Sequence, residues 1–278
     1  MIIANDTELR SYLKSVTPTV TGEETLYAKL TPAMEQIEAW LTREITGGIT
    51  LTDDLTAKIK PVIAFAAYHK AIPQLDLILT SNGFGIVSNQ NVAPASRERV
   101  DALRSMLLNM RDSAMDALMT ALYSTTAYQS TAAFKRFTLS VINTPGMMEH
   151  TVYTPSHGRW EEFSEKLPEI YDIERCIIDR GLSQELHTLC CTYGATGSVS
   201  SLSEYIPTLH YKVVSMVKEA LRNSEYLHSP HFSTAMRHIV HFITSNAALD
   251  AVWKTTDVGK AWNVTPFAND KDSGGYWL

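Results

Sequence analysis

The apolar positions of this chain recur mostly at spacings of three and four, the period of a helix that buries one face. A short helix is predicted over Thr7–Val16, followed by a turn through Pro18 and Gly22. Met34, Ile37, Trp40, Leu41 and Ile45 then share a face, with Thr31 as N-cap, Pro32 in the first helical position and Gly47-Gly48 as the stop. A third helix is predicted over Asp53–Ala71 on the stripe Leu55, Ile59, Val62, Ile63, Ala66 and Ala67. Pro61 requires it to begin late or to bend, because an interior proline removes a hydrogen bond and clashes with the preceding turn. From Leu75 the period falls to two. Leu75, Leu77 and Leu79 alternate, Ser81-Asn82-Gly83 makes a turn and Phe84–Ser88 returns, which reads as a small β-hairpin near 75–88. A lone hairpin is marginal in water, so this one must lie against helices or pair with another subunit. Ser96 caps the longest helix of this half, on Leu103, Leu107, Met110, Ala114, Leu118 and Leu122. The alternation of Phe137, Leu139 and Val141 predicts one further strand over Phe134–Ile142.

The second half continues in helical periods, over Trp160–Arg180, Ser183–Tyr193, Leu202–Asn223 and Phe232–Trp253, with Pro168 and Pro207 near bends or starts. Turn chemistry is densest at Asn143-Thr144-Pro145-Gly146 and at Tyr153–Gly158, which divides the chain into 1–145 and 146–278. The fold class is therefore mainly α: tandem helical bundles with a small β-hairpin and one short additional strand. The tail ends in Tyr276-Trp277-Leu278, and its aromatic side chains are expected to dock on this chain's own core or on a partner.

Composition narrows the class without naming an activity. Of 278 residues, 45% are hydrophobic and 19% charged, enough to build a packed core. The net charge of −6 shows no basic excess of the kind nucleic-acid binders carry. No apolar run approaches the roughly 20 residues of a membrane span, and the start at Met1-Ile2-Ile3 lacks the pattern of a secretory leader. Three cysteines, Cys176, Cys190 and Cys191, make no disulfide framework and read as reduced core thiols.

Chemical motifs are sparse. The phosphate-loop, nucleophile-elbow and His-Glu-x-x-His patterns are absent from the sequence. His228, His231, His238 and His241 form two His-x-x-His pairs, the spacing at which imidazoles on one helical face bind zinc, although Pro230 interrupts them. His187 stands three residues before Cys190, a thiol–imidazole pairing distance that lacks a visible orienting group. The acidic run Glu161, Glu162, Glu165, Glu169, Asp172, Glu174 and Asp179 reads as a solvated helix face. Arg97, Arg104 and Arg111 repeat every seven residues, a row suited to an acidic helix across a subunit boundary or, secondarily, to DNA.

Two stretches carry a resemblance. Ser81–Leu103, with its core Phe84-Gly85-Ile86-Val87-Ser88-Asn89, and the ending Gly274-Gly275-Tyr276-Trp277 resemble an uncharacterised family of Bacteroidetes phages and prophages regarded as virion structural proteins. Ala33–Trp40 followed by Ile59–Ala71 is similar to the helices of phage head–tail connector (adaptor) proteins, a likeness covering roughly 26–125. Those proteins are small helical bundles that form rings, commonly of twelve, beneath the portal.

The resemblance implies a non-enzymatic neck subunit without cofactor, found in the virion neck and, during assembly, in the host cytoplasm. Its partners would be its own copies, the portal and the tail or other neck proteins, with DNA in the ring lumen and no membrane. It carries over no catalytic residue. Phe84, Ile86, Arg97, Arg104, Arg111, Tyr276 and Trp277 are the expected interaction residues. Two other classes compete with it: a metal-dependent enzyme using the 228–241 histidines, and a non-viral helical binding module.

Overall fold

In the computed structural model, which describes residues 1–13, 24–75, 77–80, 83–86, 96–148 and 158–262, the chain is mainly α. It divides into two units, Met1–Ile170 and Tyr171–Leu278.

The first unit opens with α1 (Asp6–Tyr12), capped by the Asn5 side chain, which accepts from the Glu8 amide. Next comes α2 (Leu26–Trp40), which starts earlier than Thr31 and Pro32 suggest. Thr25 is its N-cap, while the Thr31 hydroxyl donates to the Tyr27 carbonyl inside the helix. A π-helical turn, Leu41–Ile45, prolongs it, and Gly47 and Gly48 end it at φ +63° and +73°, where a side chain would strain the backbone. The third helix, α3 (Asp53–Leu75), runs unbroken through Pro61 and begins at Asp53 rather than late. It packs between α2 and α4 (Arg97–Tyr123).

Between α3 and α4 the backbone forms β1 (Leu77–Thr80) and β2 (Gly83–Ile86), antiparallel, with Leu77 opposite Ile86 and Thr80 opposite Gly83. The Ser96 hydroxyl caps α4 by accepting from the Arg99 amide. The buried stripe of α4 is rotated from the expected one. It runs through Leu107, Leu108, Arg111, Met115, Leu118, Met119 and Leu122, leaving Met110 outside.

Phe134–Ile142 is not a strand. Thr131 caps α6 (Ala132–Phe137), which follows the single turn α5 (Thr126–Gln129), and the chain then winds irregularly to Asn143. Ala132, Ala133, Lys135 and Arg136 are better helix than strand formers, and only three hydrophobic positions supported the alternation. Val141 is buried while Leu139 lies exposed.

The division between units falls inside α7 (Arg159–Ile177), not at residue 145. The cause is packing. Trp160 meets Trp40 edge-on with ring centroids 5.4 Å apart and Phe137 at 6.0 Å, while Phe163 stacks on Phe137. The start of α7 thus completes the first core.

In the second unit a π-helical turn, Ile178–Leu182, leads to α8 (Gln184–Thr196), capped by Ser183. Next is α9 (Ile206–Arg222), with Pro207 in its first turn, where its missing amide costs nothing. The helix expected over Phe232–Trp253 is two helices, α10 (Pro230–Thr244) and α11 (Ala247–Trp253). Ser245 and Asn246 break it, and Asn246 takes the extended backbone of an N-cap (φ −114°, ψ 105°). A last helix, α12 (Asp257–Trp262), had no strong periodic signal. Among the described residues no helix is long and apolar enough to cross a membrane.

Candidate functional site

The arginine row does not hold together as a surface. Arg97 is exposed beside Asp101, and Arg104 is exposed. Arg111, by contrast, is 8% exposed and tied within the chain. Its guanidinium donates to Asp112 at 2.7 Å and, as a fork, to both carboxylate oxygens of Glu161 on α7 at 2.5 and 2.6 Å. Asp112, fully buried, also accepts the amide of Arg159 at 2.6 Å. One arginine of the row and one glutamate of the acidic run therefore meet in cis.

Beside the exposed arginines, Tyr68, Ile72 and Pro73 of α3 and Val100, Leu103 and Arg104 of α4 line an open apolar groove at the end from which the strands depart. Met106 and Met110, 44% and 38% exposed, continue along α4. Phe84 and Ile86 stand on β2, opposite Leu79 and Leu77 in register; their side chains, and Tyr276 and Trp277, lie outside the described residues.

The densest chemistry is in the second unit. Glu174 of α7 and His187 and Cys191 of α8 place a carboxylate oxygen, a ring nitrogen and a thiol sulfur within 4.8 Å of one another, all buried. The Glu174 carboxylate lies 3.0 Å from His187 Nε2, and Cys191 Sγ lies 3.6 Å from the His187 ring nitrogens. Helical spacing accounts for the second contact, since residues four apart share a face.

Glu174 is the orienting group that sequence reasoning did not find. Its place in the acidic run suggests a solvated acid, yet its neighbours Ile170, Ile173 and Ile177 are core residues, and it falls on their stripe. That position was the available signal. Glu162, also buried, departs from the solvated face in the same way.

The thiols are not poised as nucleophiles. Burial, with the Glu174 charge adding to it, pushes Cys190 up to about 12 and Cys191 further up. The thiolate is the reactive form, so attack on a substrate is disfavoured. On α9, His210 Nδ1 pairs with the Cys190 carbonyl at 3.0 Å, and Tyr193 meets its ring edge-on. Burial lowers the His210 pKa below the usual histidine range and keeps the ring neutral. In native protein one thiol, Cys176, is expected to react with an aromatic disulfide reagent. Cys190 and Cys191 should react only on denaturation, and fast labelling of three thiols in the native state would refute the burial argument.

The histidine run is dispersed over the surface. His228 ends a short 3-10 turn ahead of the Ser229 cap, and His231, His238 and His241 lie on α10, all four exposed. Among the described residues, the group of three or more potential metal ligands is Glu174, His187 and Cys191, and none of those four histidines belongs to it.

Residues 17–138 match the profile of a family of unknown function (DUF6712), a stretch that begins before α2 and ends just past α6. No curated protein and no solved structure matches the chain. Within its first unit, then, the chain is similar to a family to which no activity has been given.

Proposed function

We propose that this protein is a non-enzymatic virion structural subunit, a head–tail connector (neck adaptor) that forms a ring between portal and tail. One surface supports the reading. Arg104 lines the apolar groove that α4 forms with α3, and Arg97, Met106 and Met110 stand exposed elsewhere along α4. Methionine and arginine are enriched at protein interfaces, and a contiguous apolar surface rimmed by charge marks such a contact. A ring subunit needs two complementary faces that join head to tail and close. The groove with Arg104 on its wall serves as one of them, and Phe84 and Ile86 on β2 are candidates for the other.

Electron microscopy of the full chain, co-expressed with a phage portal protein and a tail protein, tests the reading. Rings of regular subunit number are expected. The double variant Arg104→Glu with Met106→Asp should leave helicity unchanged and abolish the rings. A chain that stays monomeric with those proteins present would overturn the assignment.

A further inference from the structure

We propose that Glu174, His187 and Cys191 bind one zinc ion, which pins α7 to α8. The proposal concerns the second unit and is independent of the assembly reading.

The distances fit the metal. Tetrahedral zinc with bonds of about 2.05 Å to nitrogen, 2.1 Å to oxygen and 2.3 Å to sulfur has N···O and N···S edges of about 3.4 and 3.6 Å. From His187 Nε2 the corresponding separations here are 3.0 Å to the Glu174 carboxylate and 3.6 Å to Cys191 Sγ. The sulfur stands equally far from both ring nitrogens, so admitting the ion requires the Cys191 side chain to turn toward the Nε2 lone pair as well as a small expansion of the Glu174–His187 contact.

Charge points the same way. Carboxylate, neutral imidazole and thiolate sum to −2, so a zinc ion leaves the loaded site neutral, as a low-dielectric interior favours. Binding releases the Cys191 thiol proton to solvent.

The backbone supplies the placement. His187 and Cys191 are four apart on α8, and the turn Ile178–Leu182 brings Glu174 of the preceding helix back over them. Gly181, at φ +152°, lies in that turn. With all three side chains buried, the site is closed to substrates, and its three protein ligands leave the fourth tetrahedral position to a water.

The test starts from untagged full-length protein purified without chelator and dialysed against micromolar zinc, its metal then measured by elemental analysis. One equivalent is expected, retained when His228, His231, His238 and His241 are all changed to Ala, and lost in Glu174→Gln and in Cys191→Ser. Because those two variants could lose zinc by unfolding, the wild type carries a second readout. With cobalt(II) in place of zinc it should show a thiolate-to-metal charge-transfer band, and chelation should lower its melting temperature. Wild-type protein that takes up no zinc overturns the proposal. So does zinc that survives Cys191→Ser and disappears with the four surface histidines.

Discussion

Replacing Arg111 by Met should destabilise the first unit by about 3 kcal/mol, the lower end of the cost of breaking a buried ion pair by removing one partner. The reason lies in what remains. Asp112 has no solvent exposure, and without the guanidinium its carboxylate keeps the Arg159 amide but no countercharge. That surviving amide is why the lower end applies. Arg111→Lys should recover part of the loss, because an ammonium supplies charge but cannot fork onto Glu161 while also reaching Asp112. Arg111→Met with Asp112→Leu should recover more, since an apolar pair leaves no buried charge behind.

Urea unfolding followed by fluorescence, with Trp40 and Trp160 among the reporters in this core, measures the series. A loss under about 1 kcal/mol for Arg111→Met would place the network with exposed pairs and remove the argument.

The same network has a pH signature. Burial pushes the Glu161 carboxyl up, but the hydrogen bond and charge of Arg111 outweigh it and hold the group below its ordinary value. A depressed carboxylate stabilises the fold above its unfolded pKa of about 4.3. That share is lost as pH falls through the lower, folded value. Wild-type protein should therefore lose stability more steeply on acidification than Arg111→Met does.

Much of the helical plan was legible because apolar periodicity is a strong local signal, and caps such as Ser96 and Ser183 fixed helix starts. What failed were features decided by the rest of the fold. Arg111 read as surface because charge favours exposure, yet a fork to Glu161 and Asp112 makes its burial tolerable. Phe137, Leu139 and Val141 alternate, but three positions cannot outweigh the Thr131 cap and the alanines behind it. The boundary at residue 145 followed turn chemistry, which marks where a chain bends and not where a core ends. Trp160 and Phe163 belong to the first core although they follow the turns. Of the chemical cluster, sequence spacing exposed His187 and the cysteines. Glu174 stayed hidden, because the turn that folds it back joins residues thirteen apart.

That turn is where the second large effect is expected. Trp253 is 1% exposed on α11, and its indole Nε1 donates to the Gly181 carbonyl at 2.8 Å. Trp253→Ala should cost the second unit about 3–5 kcal/mol, the range for emptying a large aromatic site in a core. Trp253→Phe separates the parts of that loss. It keeps most of the ring volume and leaves the buried Gly181 carbonyl without its donor, a cost of about 1–3 kcal/mol.

Collapse around the alanine is restricted on two sides. A Cβ at Gly259 would collide with the Trp253 carbonyl oxygen, so α12 already sits as close to the end of α11 as a glycine allows. A Cβ at Gly181 would meet Val240 at 2.8 Å, so the turn is equally tight against α10. With neighbours in contact, a vacated indole leaves a cavity rather than a repacked core. The measurement is chemical denaturation of both variants, read by circular dichroism. Equal losses for Ala and Phe would mean that the hydrogen bond, not the packing, carries the effect. A loss under about 1 kcal/mol for Ala would mean that Trp253 does not organise this core.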